Sequence, residues 1–468
     1  MKTRQEKDSL GLLDVPADVY YGVQTHRAVV NFPVSGLHAH PRLIDAYLYV
    51  KKAAAIANSR SGELPKASAD AIVKACDEIL GGKMRDQFPV DVFQMGAGTA
   101  FNMNINEVLA NRANEILGAK LGEYKPINPN DHVNMGQSTN DTFPSATRIG
   151  LALILKEYLN EPLAKIERAF ADKGKEFDDV LKSARTHLQD AVPIRLGQEF
   201  AAYAICLGKC RKAVEYAAEG LLELGIGGSA AGTGLNTAPG YREEIIRELS
   251  KLTGLALHPA QDMREAMQSQ RPLSEVSSSL RNLALELTRI LNDLRLLSSG
   301  PTTGLAEIQL PATAPGSSIM PGKVNPSILE MVNMVAFQVI GCDATVAYAV
   351  QAGQLELNVM MPVAAFNLNF AVTILGNALT ILRTKCIEGI TADRDRCRHY
   401  AESSMGLATA LNAFIGYAAA ADVCKEATKG HKTIIQVIRE KKILTEDQIR
   451  DVMDPIRMTE PGIPGKGR

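Results

Sequence analysis

The amino-acid sequence has 468 residues, of which 46% are hydrophobic, and its formal net charge is −1. A chain of this length can bury a sizeable core in one large domain or in two to three smaller domains. Proteins that bind nucleic acids usually need an excess of basic residues to neutralise phosphates. The near-neutral charge therefore argues against a nucleic-acid partner.

The seven cysteines are scattered along the sequence, and none of them forms a Cys-x-x-Cys pair. Scattered cysteines in a long chain are typical of buried thiols in a reducing cytoplasm, so we expect a cytoplasmic protein. Residues 1–7 are rich in charge and lack the apolar stretch of a secretory signal. No Cys/His cluster has the spacing of a zinc site, so we expect no metal.

In chain order, the first 140 residues predict a separate, mostly helical domain. Beyond it, apolar residues at steps of three and four predict five long helices. These helices begin near Thr142, after Pro193, after Pro272, at Pro326 and near Val359. The third is the clearest, because one apolar seam runs along it until Gly300-Pro301 ends the helix. The seam consists of Val276, Leu280, Leu283, Leu287, Ile290, Leu294 and Leu297.

Strand signals are weak, and the pattern after Ile390 shortens into smaller helices. We therefore predict an all-α fold with three domains and a long central helical bundle. The predicted domains are residues 1–140, the bundle over residues 141–393 and a small helical domain over residues 394–468. Residues 357–382 carry no charge, but asparagines and Pro362 interrupt them. Unpaired amides are costly in lipid, so we interpret this stretch as a buried helix and expect no membrane partner.

Two polar stretches precede predicted helices. Residues 96–99 are Gly-Ala-Gly-Thr, which can present backbone N–H groups to a ligand, although an ordinary turn explains them as well. Residues 137–141 are Gln-Ser-Thr-Asn-Asp, with Pro144 shortly after. We interpret the second stretch as a capped helix N-terminus with a proline in its first turn, which attracts anions. Five polar residues in a row exceed what a cap requires.

Two more polar stretches follow later in the chain. Residues 185–190 contain Thr186 and His187 between predicted helices, where a surface histidine and a ligand-binding histidine are equally good interpretations. Residues 316–326 are Gly-Ser-Ser-Ile-Met-Pro-Gly-Lys-Val-Asn-Pro. Their glycines and prolines suggest a loop that can move as a lid. Asn325 and Pro326 predict an N-cap and a first helical residue.

Residues 316–326 resemble the signature loop of the aspartase/fumarase superfamily at every position. The other three stretches resemble the superfamily's motifs in the same order, and the similarity extends from Tyr21 to Asn412. The resemblance implies an all-helical, three-domain subunit without a cofactor. It also implies a homotetramer in which each active site draws on three subunits. The implied reaction is an anti β-elimination from a small dicarboxylate substrate.

The resemblance also implies roles for eleven residues. Ser317, His187 and Lys323 would be catalytic, with Ser317 as the general base that removes a proton from C3. The β-carboxylate would be bound by Thr99, Ser138, Thr139 and Ser318, the α-carboxylate by Thr186, Lys323 and Asn325, and the leaving amino group by Asn140 and His187. Glu330 matches a residue that orients the histidine in fumarases.

Several substitutions favour the branch of the superfamily that removes ammonia from L-aspartate. Ala97 and Thr139 stand where fumarases usually carry serine, and Val192 stands where they tend to carry threonine. The alternative is the hydration of fumarate to malate. Phe101, where a small aliphatic residue is more usual, leaves open a lyase that releases a larger amine. A silent structural protein, such as some lens crystallins, is disfavoured because all the catalytic residue types are present.

Overall fold

A computed structural model describes residues 2–466, and most of its regular structure is α-helical, so the predicted all-α class is confirmed. Met1, Gly467 and Arg468, at the ends of the first and last predicted domains, lie outside the described residues. The helices are α1 (Val23–Asn31), α2 (Pro41–Arg60), α3 (Lys66–Leu80), α4 (Thr99–Ile116), α5 (Thr139–Ile154), α6 (Asn160–Glu176), α7 (Leu196–Glu219), α8 (Tyr241–Thr253), α9 (Met263–Gln268), α10 (Arg271–Leu297), α11 (Ser327–Gln351), α12 (Met361–Lys385), α13 (Arg394–Ser403), α14 (Asn412–Ile415), α15 (Tyr417–Gly430), α16 (Ile434–Glu440) and α17 (Glu446–Val452).

The described strands are short and pair into four two-stranded sheets. They are β1 (Thr3–Asp8) with β2 (Gly11–Pro16), β3 (Leu181–Thr186) with β4 (Gln189–Arg195), β5 (Glu223–Leu224) with β6 (His258–Pro259), and β7 (Ile308–Gln309) with β8 (Thr391–Ala392). The β5–β6 pair is parallel and the other three are antiparallel. The β3–β4 hairpin bears on the candidate site, because its turn carries the predicted site residue His187.

The long helices follow the apolar pattern, but two predicted helix starts are wrong. Helix α5 begins at Thr139, so Pro144 lies in its second turn rather than its first. Helix α11 begins at Ser327, so Asn325 is not its N-cap. Both errors have one cause, because proline is an imprecise marker of the first helical turn. Helix α5 begins five residues before Pro144, and α11 begins one residue after Pro326.

The apolar seam of α10 is buried within the chain itself. All seven seam residues, from Val276 to Leu297, have at most 6% of their surface exposed. Exposed apolar side chains occur on other helix faces instead, and they include Met334, Phe337 and Tyr348 on α11 and Ile205 and Tyr216 on α7.

Two helical stretches among residues 2–466, Ser327–Gln351 and Met361–Gly389, are long and apolar enough to cross a membrane by length and composition alone. Of their most apolar windows, 39% and 56% are buried inside the protein. Core helices of water-soluble proteins have the same length and composition, so these stretches are weak evidence for a membrane span.

The chain forms two compact units, and the division into three domains stays a prediction. The first unit comprises the described residues up to Glu161, together with Lys212–Ala284 and Phe337–Gly376. Its core packs α2, α3, α4, α5 and α8 around fully buried side chains such as Tyr47 and Phe101.

The second unit comprises Pro162–Arg211, Leu285–Ala336 and the described residues from Asn377 onward. One of its cores lies among the short C-terminal helices, around Leu411, Val437 and Ile438. Helix α13 packs against strand β3 in this unit, so the C-terminal segment supports the hairpin that carries His187.

Candidate active site

The predicted site residues are divided between the two units. Thr99, Ser138, Thr139 and Asn140 belong to the first unit, and Thr186, His187, Ser317, Ser318, Lys323 and Asn325 belong to the second. Within the first unit, two polar stretches lie at the N-termini of α4 and α5. Within the second, they lie at a hairpin turn and in the loop before α11. That all four converge on one substrate stays a prediction.

The N-terminus of α5 is capped as the sequence predicts. The Ser138 hydroxyl accepts a hydrogen bond from the Asn140 backbone N–H at 3.2 Å, and the Asp141 carboxylate accepts one from the Ser138 N–H at 2.9 Å. The Asn140 side-chain amide donates to the Ala230 carbonyl at 2.8 Å, which fixes its orientation. Thr139 is 8% exposed. The result is a fixed helix N-terminus whose dipole favours a carboxylate.

Two buried ionisable residues that we did not predict, Asp141 and Lys51, support this helix N-terminus. Asp141 is fully buried, and its second oxygen accepts N–H groups of Gly227 at 3.1 Å and Ser229 at 3.0 Å. Lys51 is also fully buried and donates to the side-chain oxygens of Asn134 at 3.0 Å and Gln137 at 2.9 Å.

Burial shifts both groups toward their neutral forms. It raises the pKa of Asp141 to about 7, against the lowering effect of its backbone hydrogen bonds, and it lowers the pKa of Lys51 to about 7. Asp141 had a sequence signal, because Ser-x-x-Asp is a form of the capping box. Lys51 had none, because a Lys-Lys pair inside a helix usually indicates a solvated face.

Replacing Asp141 by asparagine is expected to lower the free energy of unfolding by about 1–3 kcal/mol. An asparagine side chain has one carbonyl oxygen and one NH2 group. In either orientation, the NH2 group would face a backbone donor, either the N–H of Ser138 or the N–H groups of Gly227 and Ser229. Urea unfolding at one protein concentration measures the change. Asp70→Asn, which removes an exposed ion pair, serves as the control and should alter stability by less than about 0.5 kcal/mol. Equal losses in both variants would contradict the role of Asp141.

The turn at residues 96–99 is shaped by close packing. Gly98 has a φ of +80°, and a Cβ atom there would lie 2.0 Å from the Phe143 ring, so only glycine fits. Ala97 also has a positive φ, of 60°, and its N–H donates to the Val359 carbonyl at 2.7 Å. The turn places Thr99 as the first residue of α4, where its side chain is partly exposed.

Phe101 points into the core of the first unit. It is 1% exposed, and its ring meets the Tyr47 ring edge-on with centroids 5.5 Å apart. Its backbone N–H donates to the side chain of Gln94 at 2.9 Å. The unusual phenylalanine is therefore explained by packing against Tyr47.

Thr186 and His187 lie at the turn of the β3–β4 hairpin, so the expectation of a plain connection between helices is wrong. Thr186 pairs with Gln189, which leaves His187 and Leu188 as a two-residue turn. Both turn residues have positive φ, at 56° and 60°, and both are exposed. Two-residue hairpin turns of this kind normally use Asn-Gly, so His-Leu carries no turn signal.

Hydrogen bonds join the two ends of the loop of residues 316–326. The Gly316 N–H donates to the Lys323 carbonyl at 2.8 Å, and the Asn325 side chain donates to the Gly316 carbonyl at 2.7 Å. A Cβ atom on Gly316 would lie 2.6 Å from that Lys323 carbonyl oxygen, so this position requires glycine. Asn325 therefore closes the loop instead of capping α11. Ser318 and Lys323 are exposed on the loop.

Ser317 has a polar environment that favours negative charge on its hydroxyl oxygen. Its Oγ accepts backbone N–H groups of Ile319 at 3.2 Å and Met320 at 3.0 Å. Donors that are fixed before reaction stabilise an anion that forms at the oxygen they face. Further along the chain, the Glu330 carboxylate lies 3.7 Å from the Arg295 guanidinium, and its predicted role toward the histidine stays a prediction.

Among residues 2–466, no cluster of three or more histidine, cysteine or acidic side chains is arranged to hold a metal ion. The ten predicted site residues offer hydroxyls, amides, one lysine and one histidine, and four of them lie at the N-termini of α4 and α5. Such a set suits an organic anion.

Comparisons with known proteins cover nearly the whole chain. A family model described as Lyase matches residues 11–341, and one described as Fumarase C C-terminus matches residues 407–460. An aspartate ammonia-lyase of Bacillus subtilis is 48% identical over 463 residues, which are 99% of this chain and 97% of that protein.

Two solved structures share the fold with a TM-score of 0.95. A fumarate lyase:delta crystallin protein of Brucella melitensis is 48% identical over 98% of this chain and 100% of its own. A class II fumarase of Schistosoma mansoni is 36% identical over 98% of this chain and 99% of its own. The expected resemblance is confirmed, and the chain belongs to the aspartase/fumarase superfamily of lyases.

Proposed function

We propose that this chain is an aspartate ammonia-lyase, which reversibly eliminates ammonia from L-aspartate to give fumarate. The observation that carries the proposal is the 48% identity to a relative of that name across almost the full length of both proteins. The packing of Phe101 into the core supports a small leaving group, because this residue was the one sequence feature that suggested a larger amine. The residues at hand also suit chemistry without a cofactor.

The reaction must remove a proton from a carbon beside a carboxylate. The electron pair of the broken C–H bond moves onto a group that is already ionised, so a dianionic aci-carboxylate forms. When this intermediate collapses, the pair forms the C=C bond, and ammonia leaves with the electrons of the C–N bond. The hydroxyls of Ser138 and Thr139 at the N-terminus of α5 and of Thr99 at the start of α4 are suited to hold the dianion. The cap hydrogen bonds fix this end of α5, and its helix dipole favours negative charge.

Ser317 would accept the C3 proton. A serine hydroxyl is a weak base, and the two N–H groups that point at its oxygen lower the cost of the alkoxide form. Lys323, Asn325 and Thr186 would bind the other carboxylate, while Ser318 would assist Thr99 at the dianion. Asn140 and His187 would face the amino group, for which the fixed Asn140 amide also offers a carbonyl oxygen.

The active form would be a cytoplasmic homotetramer in which three subunits contribute to each active site. Large exposed apolar side chains recur along α7 and along α11. They support this assembly, because exposed apolar patches on soluble proteins often mark interfaces. The division of the predicted site residues between two compact units is consistent with a site assembled from several chains.

The decisive experiment follows the ultraviolet absorbance of fumarate with purified protein and either L-aspartate or L-malate. We expect fumarate to form from L-aspartate and much more slowly from L-malate. The second candidate is the fumarase reaction, which the structural similarity to a class II fumarase favours. Turnover of L-malate alone would establish it and refute the proposal. Inactivity toward both substrates would favour a larger amine or a structural role.

A further inference from the structure

A cluster of four charged side chains, two of them fully buried, lies along strand β3 of the β3–β4 hairpin. The Arg185 guanidinium contacts both oxygens of Glu307, at 2.9 and 3.0 Å. The Lys182 ammonium lies 3.2 Å from Glu307 and 2.8 Å from Glu199. Two cations and two carboxylates thus balance each other next to the turn that carries His187.

The burial of this cluster is hard to explain as a device for stability. The Glu307 side chain is completely buried, and that of Lys182 is 1% exposed. Charged groups lose their hydration when they are buried, and an apolar cluster of the same volume usually stabilises a fold equally well. What a buried ion cluster adds is a fixed geometry, because each charge accepts few alternative partners.

The turn above the cluster needs support, because its own residues disfavour its conformation. His187 and Leu188 both adopt the left-handed region, which suits glycine and asparagine. A register shift between Ser183 and Arg185 interrupts the hairpin pairing just below the turn. Such bulges redirect the following residues. The hairpin tip is therefore held by contacts at its base rather than by local preference.

Helix α13 and the residue before it also contact the cluster. The backbone carbonyl of Glu307 accepts the N–H of Asp393 at 3.0 Å, just before α13. The Arg185 guanidinium also lies over the Tyr400 ring of α13, at 5.4 Å from its centroid. Glu307 is thus tied to β3 through its side chain and to the start of α13 through its backbone.

We propose that Lys182, Arg185 and Glu307 are positioning residues that hold the His187–Leu188 turn in the geometry that the reaction requires. The proposal rests on the proposed function, since it assigns His187 a place in that active site. The proposal predicts that a substitution that weakens the cluster lowers kcat by displacing His187, although the cluster itself does not contact the substrate.

The test combines Glu307→Gln with hydrogen exchange and with a double-mutant cycle. In the tetramer, we expect faster amide exchange in residues 184–190 and a kcat lowered by about 100-fold, as for a catalytic group displaced by about 1 Å. In a His187→Ala background the same substitution should cause no further loss of kcat. Asp178→Asn is the matched control, because it removes the exposed ion pair of Asp178 with Arg195 in the same hairpin and should change neither measurement.

The outcomes separate this proposal from the proposed function. Unchanged exchange at the turn, or an equal loss of kcat in both backgrounds, would overturn the positioning role. If the wild type does not act on L-aspartate, the proposed function fails, and the exchange data alone decide whether the cluster anchors the turn. Should Glu307→Gln not fold, Arg185→Gln replaces it, and Arg185→Lys should restore part of the kcat by returning a cation to Glu307.

Discussion

Replacing Ser317 by alanine is expected to lower kcat for L-aspartate by about 100- to 10,000-fold, the range over which a positioned general base accelerates proton transfer. The methyl group cannot accept the C3 proton. Because no bond to the substrate carboxylates is assigned to Ser317, KM should change little. The protein should still assemble, since this side chain is exposed in part and packs in no core.

The substitution also removes the acceptor of two backbone donors. Their N–H groups, from Ile319 and Met320, point at an oxygen that alanine removes, so the variant also leaves both without a partner at the loop. Steady-state kinetics would be compared with Thr313→Ala, which removes an exposed hydroxyl from the segment before the loop and should leave kcat unchanged. Size-exclusion chromatography checks assembly. A Ser317→Ala enzyme with wild-type kcat would exclude Ser317 as the base.

The helical part of the fold was predictable because each long helix buries one regular apolar stripe. Helix α10 shows this best, since its seam residues recur at steps of three and four and all are buried. The β3–β4 hairpin was missed because its turn is His-Leu, which carries no hairpin signal. Its geometry depends on Glu307, more than one hundred residues away, and such long-range support leaves no local pattern.

The polar stretches of the candidate site were predictable, but the groups that hydrogen-bond to them were predictable only in part. The cap of Ser138 follows from local sequence, and Asp141 at the third helical position carries the matching signal. Lys51 and Gly227 reach the same helix N-terminus from distant segments. The donors to Ser317 are backbone N–H groups, which nearly every residue type carries, so no side-chain pattern predicts them.

Lys51 should give the protein a stability that rises with pH between about 7 and 10. Burial lowers its pKa in the folded protein to about 7, from 10.5. Between these values the unfolded chain binds a proton that the folded chain does not, so raising the pH favours the folded state. The contribution is complete above pH 10.5 and is lost as the pH falls toward 7. The slope for one such group is about 1.4 kcal/mol per pH unit.

The test compares wild type with Lys51→Met, which keeps the length of the side chain and cannot titrate. Urea unfolding would be measured at pH 7, 8 and 9. The free energy of unfolding of the wild type minus that of Lys51→Met should rise with pH at about that slope. Lys52→Met, which keeps Lys51, should retain the wild-type pH dependence. The groups that face Lys51 are Asp141 on α5, Cys76 on α3 and the Tyr47 ring at 5.7 Å. A pH-independent difference would mean that Lys51 keeps its proton when folded, stabilised by Asp141 beyond what burial takes away.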